Sequence, residues 1–314
     1  MLNERDYDPP KAHKALAFST LAFTVCFAVW TIFSVIGVKI KQDLGLSDTE
    51  FGLLVATPVL TGSISRIFLG MWTERFGGRL VFTILMLATS VAVFLLSTVT
   101  TYGLFLVAAL GIGLAGGSFI VGIAYTSEWY DKKHQGTALG IFGAGNVGAA
   151  VTNFGAPFLV VALGWEMTAQ VYAAVLAGMA VIFWFMTEND PRLRRRTEEG
   201  SQPMPVSEQL APLKKLQVWR FSLYYFFVFG AFVALASWLP NYYVSVYDLS
   251  LEQAGMLAAM YALPASVFRA LGGWMSDRMG ARAVMYWTYG VSLAALFVLS
   301  YPQTRYIIEG INGP

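Results

Sequence analysis

Long apolar stretches alternate with short polar ones along almost the whole chain. Nine runs come near or exceed the roughly 20 residues that a helix needs to cross a hydrocarbon core: 15–38, 51–72, 80–99, 102–126, 136–163, 169–186, 219–246, 251–275 and 283–299. The pattern predicts an all-α membrane protein with about nine transmembrane helices. The first run follows a polar leader, 1–14, but is too long for a signal-peptide core and ends without a clear small-residue cleavage site, so it reads as a retained helix.

Composition agrees with the pattern. Hydrophobic residues make up 56% of the 314, charged residues only 13%, and the mean hydropathy is +0.58, which excludes an ordinary soluble domain. Orientation follows from Lys and Arg, which favour the cytoplasmic side of short loops. With the N-terminus inside, the cytoplasmic segments hold Arg5, Lys11, Lys14, Arg75, Arg79, Lys132, Lys133, the cluster from Arg192 to Arg220, Arg278 and Arg282. The outer side keeps only Lys39, Lys41 and Arg305. The small net charge of +2 therefore reports membrane orientation and calls for no nucleic-acid partner. A bacterial-type inner membrane, crossed many times, is the expected location.

Catalytic and metal chemistry find little support. Cys26 is the only cysteine, so no intramolecular disulfide or thiolate metal site can form. His13 and His134 sit in polar flanks without partners at ligand spacing. No nucleophile–base pair or phosphate-binding glycine loop is present, so the sequence implies neither an enzyme nor a cofactor.

A polar stretch, 188–216, carries Pro191, Pro203, Pro205 and Pro212 and separates the sixth run from the seventh. It reads as a cytoplasmic linker between an N-terminal six-helix bundle (15–187) and the first three helices of a second bundle (217–300). An ungapped shift of 203 positions lays Arg66, Gly70, Arg75, Gly77 and Arg79 on Arg269, Gly273, Arg278, Gly280 and Arg282, with Glu74 meeting Asp277. Ser47 meets Ser250 and Gly52 meets Gly255, so the match covers a whole helix and predicts two related halves.

The segment Gly70-Met-Trp-Thr-Glu-Arg-Phe-Gly-Gly-Arg79 resembles the loop motif of major facilitator transporters, Gly-x-x-x-Asp-Arg-x-Gly-Arg-Arg or Lys, with Glu74 in place of the usual Asp. Gly273-Trp-Met-Ser-Asp-Arg-Met-Gly-Ala-Arg282 repeats it with Asp277. The carboxylates and arginines at these helix ends are expected to form a charge network that holds one conformation closed, and the glycines to permit the tight turn. Plain positive-inside charge is the simpler alternative.

Arg66 and Arg269 stand apart from this network. Each lies well inside its apolar run, where a lipid-facing arginine would cost at least ~2.5–3.5 kcal/mol, and neither helix offers an acidic residue one turn away. Facing a cavity, two such guanidinium groups make a site for a small planar oxyanion; snorkelling or bonding to backbone carbonyls is the alternative. The fifth run is dense in small residues, which suit close helix packing. It also carries Asn146, whose amide must either tie two helices together or meet a ligand.

Ala144-Gly-Asn-Val-Gly148, preceded by Lys133-His-Gln-Gly-Thr-Ala-Leu-Gly140, resembles the nitrate signature of the nitrate/nitrite porter family. That resemblance implies a major facilitator fold of twelve helices and alternating-access transport of nitrate and nitrite. It matches the family's substrate arginines to Arg66 and Arg269, its signature asparagine to Asn146, and its seventh-helix tyrosine to Tyr225. Phe119 and Phe229 match the aromatics that sandwich the anion, although helix packing alone also accounts for each ring. The family carries a second signature in its eleventh helix. The present sequence ends in an outer loop, 301–314, so the expectation is a C-terminally truncated chain, whether a shortened product, a fragment or a subunit completed by another chain. No Asp or Glu lies in the middle of an apolar run, which leaves exchange and proton symport both open. A porter for another small anion and a non-transporting remnant are the rival readings.

Overall fold

Asp8 caps the first helix by accepting from the Lys11 amide at 3.3 Å, and Pro9 and Pro10 fill its first positions, where a missing N–H costs nothing. Helix α1 (Pro9–Trp30) therefore starts ahead of the apolar run and takes in residues 9–14 of the polar leader. The computed structural model describes residues 8–300; expectations for 1–7 and 301–314, Arg5 and Arg305 included, lie outside the described residues.

After a 3₁₀ turn at Ile32–Ser34 come α2 (Ile36–Leu44), α3 (Asp48–Phe76), α4 (Gly78–Leu96) and α5 (Tyr102–Gly113). A second 3₁₀ turn (Leu114–Gly117) leads into α6 (Ser118–Ser127), and a third (Ala144–Val147) joins α7 (Gln135–Gly143) to α8 (Gly148–Met186). The linker contributes α9 (Pro191–Glu199) and α10 (Val206–Gln209), and the second half α11 (Leu216–Tyr247), α12 (Leu251–Met279) and α13 (Ala281–Leu299). Among the described residues, eight unbroken helical stretches are long and apolar enough to cross a membrane.

The eight stretches contain nine crossings. The stretch from Gln135 to Met186 runs 52 residues, about 78 Å if straight, which is more than twice a hydrocarbon core. It reverses at Gly164, whose φ of 83° and ψ of 164° are not helical. The Tyr172 hydroxyl consequently donates to Thr152 Oγ1 at 3.2 Å, although 20 residues separate them, a span of ~30 Å along a straight helix. The fifth and sixth apolar runs are thus the two arms of one hairpin.

The internal repeat is carried into the backbone. α3 and α12 begin and end 203 residues apart, as do α4 and α13. Both α3 and α12 open on a capping box, Ser47 with Glu50 and Ser250 with Gln253. Gly77 (φ 86°, ψ 150°) and Gly280 (φ 85°, ψ 139°) turn the chain in nearly the same way. Such dihedrals are accessible essentially to glycine alone, which is why both copies keep it.

The halves meet along α12, which lies against α7 and α8. Glycines allow this: a side chain on Gly140 would stand 2.7 Å from the Arg269 carbonyl oxygen, and one on Gly273 would stand 2.9 Å from the Gly140 Cα. The small-residue content of the fifth run is used for backbone-to-backbone approach.

Gly164→Ala places a Cβ at a glycine-only backbone conformation and is expected to cost about 1–3 kcal/mol. A lower thermal unfolding midpoint in detergent, compared with Gly178→Ala, whose site has open space and lies on the same helix, checks this.

Candidate substrate site between the two halves

Arg66 on α3 and Arg269 on α12 hold the same register in the two repeats, and the α12 seam brings them to one aromatic platform. The Arg66 guanidinium carbon lies 5.7 Å from the Phe119 ring centre and 5.5 Å from that of Phe229. Arg269 lies 5.4 Å from Phe229 and 5.5 Å from Phe232. Sharing one ring, the two charges are no more than about 11 Å apart, where like charges in a low-dielectric interior repel appreciably. Among the described residues, no carboxylate comes within ion-pair distance of either.

Weaker partners hold them instead. The second 3₁₀ turn presents the Gly116 carbonyl, which accepts from Arg66 Nε at 3.3 Å, so Arg66 takes one backbone bond while remaining on the platform. Cation–π contacts of this kind contribute roughly 0.5–2 kcal/mol each, most when desolvated. The Tyr225 hydroxyl interacts with Arg66 and also faces the charge of Arg269.

The rings form one stack. Tyr225 and Phe229, one turn apart on α11, lie 4.9 Å apart at 19°; Phe119 lies 6.0 Å from Tyr225 and 6.1 Å from Phe229 at shallow angles. Five of the six residues singled out from the sequence are therefore together. Asn146, the sixth, is fully buried in the third 3₁₀ turn between α1 and α12, and neither of its amide atoms has a hydrogen-bond partner. Gly143, one turn earlier, packs on Arg269: a side chain there would lie 3.6 Å from its Cδ. A buried, unpaired amide is costly and chemically suited to an oxyanion.

Sequence reasoning missed Trp30, which stacks on Phe229 at 6.5 Å and 7°, and Phe232, the second ring under Arg269. Aromatics make up 15% of the chain, so a single ring carries no signal. The one available hint was that Phe232 follows Phe229 by three residues on the same face.

The two loop motifs differ from the network expected of them. Among the described residues, no carboxylate pairs with an arginine of its own motif. Asp277 reaches across the halves to the start of α7, accepting from the amides of Gly136 at 3.0 Å and Thr137 at 2.6 Å and from the Thr137 hydroxyl at 2.5 Å. It supplies the capping oxygen that His134, the helix's own N-cap residue, does not, with the dipole favouring its charge. Glu74 pairs at 2.7 Å with Arg192 of α9. Arg196 donates to the carbonyls of Glu74 and Arg75 at the end of α3. The motif arginines turn to aromatic and carbonyl partners. Arg79 bonds the Trp184 carbonyl, Arg75 lies over Phe76, Arg278 over Trp274, and Arg282 reaches the Tyr286 hydroxyl. Gly70 packs near Ile120. The linker is thus a docked helix as much as a tether. Asp190 caps α9 and accepts from the Gly78 amide.

Residues 18–307 match the family model of the Major Facilitator Superfamily. The class defined by the fold and the two-half site is therefore that of a multi-pass membrane transporter. The chain is 44% identical to the "Probable nitrate/nitrite antiporter NarK1" of Thermus thermophilus, over 97% of this chain and 70% of that protein. It is 35% identical to the "Probable nitrate/nitrite transporter NarK2" of Mycobacterium tuberculosis (91% and 71%) and 32% identical to the "Nitrite extrusion protein" of Bacillus subtilis (94% and 73%). It thus belongs to the nitrate/nitrite porter family of the Major Facilitator Superfamily. Among solved structures, a bacterial homolog of the human lysosomal transporter Spinster, inward-facing and occupied, aligns with a TM-score of 0.64 at 20% identity. That alignment covers 88% of this chain and 63% of the other; at this identity the likeness is one of fold.

At the docked linker, burial pushes the Glu128 carboxyl above its ordinary value of 4.5; Arg192 opposes the shift, and Asp190 and Glu74 add to it. A carboxyl raised by folding contributes stability below its ordinary value, and that contribution is lost as pH rises through the folded value. Glu128→Gln should therefore raise the unfolding midpoint at neutral pH, with the gain vanishing below pH 4.5, as thermal melts across pH would record.

Proposed function

We propose that this protein exchanges nitrate and nitrite across a bacterial inner membrane by alternating access, with its N-terminus in the cytoplasm. The observation that carries the reading is the pair Arg66 and Arg269: two cations from equivalent places in the halves, without carboxylate partners, over one aromatic stack. A flat monoanion fits that arrangement. Its oxygens would take the forked donors of both guanidinium groups, its faces would lie against Phe119 and Phe229, and Tyr225 and Asn146 would donate to it. Asp277 at α7, together with Glu74, Arg75 and Arg278, would stabilise closure of the cytoplasmic side. The chain spans 63–64% of the solved structures it resembles and 70–73% of the relatives named above, so activity is proposed for the chain and not transferred to it.

The charge balance supports exchange over proton symport. No carboxylate stands in the middle of an apolar run to neutralise the arginines when the site is empty. An empty site keeps two unpaired cations, and binding an anion removes part of their repulsion. Reorientation is then easier loaded than empty, and that is the condition for obligatory exchange. The name of the Thermus relative, an antiporter, is consistent with this.

Nitrite-loaded proteoliposomes should take up labelled nitrate, and a protonophore should leave that uptake unchanged. Arg66→Lys and Arg269→Lys should each abolish it, because a point charge cannot reproduce two parallel donors. Retained uptake in both variants overturns the assignment of the site; a protonophore-sensitive uptake selects symport, and competition by chloride or a carboxylate selects another anion.

A further inference from the structure

Asn153 is a fully buried polar residue on α8 with no place in the anion site. Its Oδ1 accepts from Ser34 Oγ at 2.8 Å, and its Nδ2 donates to the Ala236 carbonyl of α11 at 3.1 Å. Ser34 belongs to the 3₁₀ turn that breaks α1 from α2. The amide thus ties a helix break in its own half to a backbone carbonyl in the other half.

The backbone of Asn153 takes part as well. Pro157, four residues on, has no N–H, so the Asn153 carbonyl has no intrahelical donor. Gly255, near the start of α12, lies against that carbonyl: a side chain there would run into the Asn153 oxygen and stand 2.6 Å from the Pro157 ring. Asn153, Pro157 and Gly255 together close the α8–α12 seam.

Along α12 the order is Gly255, then Arg269, then Asp277. The Asp277 contact seals the seam on one side of the arginines and the Asn153 contact seals it on the other, Gly255 lying ~20 Å along the helix from Arg269. Between Asn153 and the site, Trp30, Ser34, Val233 and Ser237 line a narrow crevice, and Trp30 stacks on Phe229. Trp30 thus connects the crevice beside Ser34 to the aromatic platform.

We infer that Asn153 is a gate latch: its Nδ2 bond to the Ala236 carbonyl must break for the seam to open at the Gly255 end, and it sets the balance between the closed and open forms there. Asn153 is a positioning residue and touches no substrate. The inference rests on the proposed alternating access but not on the identity of the anion.

The test needs no substrate. A Ser237→Cys reporter in a Cys26→Ala background is purified in detergent, and its reaction rate with a hydrophilic thiol reagent is measured. Asn153→Leu removes both hydrogen bonds while keeping the branched shape and the number of side-chain heavy atoms, and Gly255→Ala wedges the seam while leaving the Asn153 side chain intact. Asn153→Leu should raise reporter labelling roughly tenfold, the change expected when the buried bond to the Ala236 carbonyl is lost, and Gly255→Ala should raise it as well. A Ser276→Cys reporter at the Asp277 end of α12 should be unaffected. Unchanged Ser237→Cys labelling in both variants overturns the latch, and so does an equal rise at both reporters, which would mean general loosening. If Asn153→Leu fails to fold, Asn153→Ala, which also removes both side-chain bonds, takes its place. A rise confined to the Ser237→Cys reporter, in a protein that does not exchange nitrate, would leave the latch standing and remove the substrate reading.

Discussion

The structure is organised around two guanidinium groups that no carboxylate neutralises. Arg66 and Arg269 sit deep in apolar helices, where charge is expensive, and both are held by neutral partners: ring faces for each, and for Arg66 also a backbone carbonyl and a phenol hydroxyl. Those partners must be brought in from several helices at once. The 3₁₀ turn at Leu114–Gly117 turns a carbonyl toward Arg66, and the glycines of α7 let α12 come close enough to carry Arg269 onto the platform. Helix breaks, small residues and aromatic density all serve this one electrostatic problem.

The repeat explains why the problem has two parts, and its contacts explain how the parts have diverged. α3 and α12 share length, capping boxes and a positive-φ terminal glycine. Their terminal carboxylates nonetheless do different work. Asp277 caps a helix of the opposite half, whereas Glu74 binds Arg192 of the linker, and Arg196 covers the carbonyl end of α3. A motif that is symmetric in sequence is asymmetric in contact because only α3 has the linker helix docked over its end.

The legible features were those in which a residue type contradicts its surroundings. Arginines inside apolar runs, a repeated charged loop and an asparagine in a glycine-rich stretch all stand out against an apolar background, and five of the six site residues meet in space. Run lengths gave nine crossings, although the hairpin at Gly164 runs as one unbroken helical stretch until its dihedrals are considered. Features that depend on the partner were hidden. Trp30 and Phe232 look like any other membrane aromatic, Asp277 looks like a partner for its neighbouring arginines, and α9 looks like a charged tether. For Asn153 a local signal did exist: an asparagine four residues before a proline marks a carbonyl without a donor.

The two closures flanking the arginines differ in kind, and the difference bears on how such a protein is controlled. Asp277 is exposed, and its bonds to α7 are charge-assisted, so water and salt compete with them and ionic strength weakens them. The Asn153 closure is neutral and dry, packed between α8, α11 and α12, so screening hardly reaches it and its hydrogen bond keeps close to full strength. The Asp277 end therefore responds to its solution environment. The Asn153 end responds to what its neighbours do, and Trp30 links it through Phe229 to the place where charge is gained or lost.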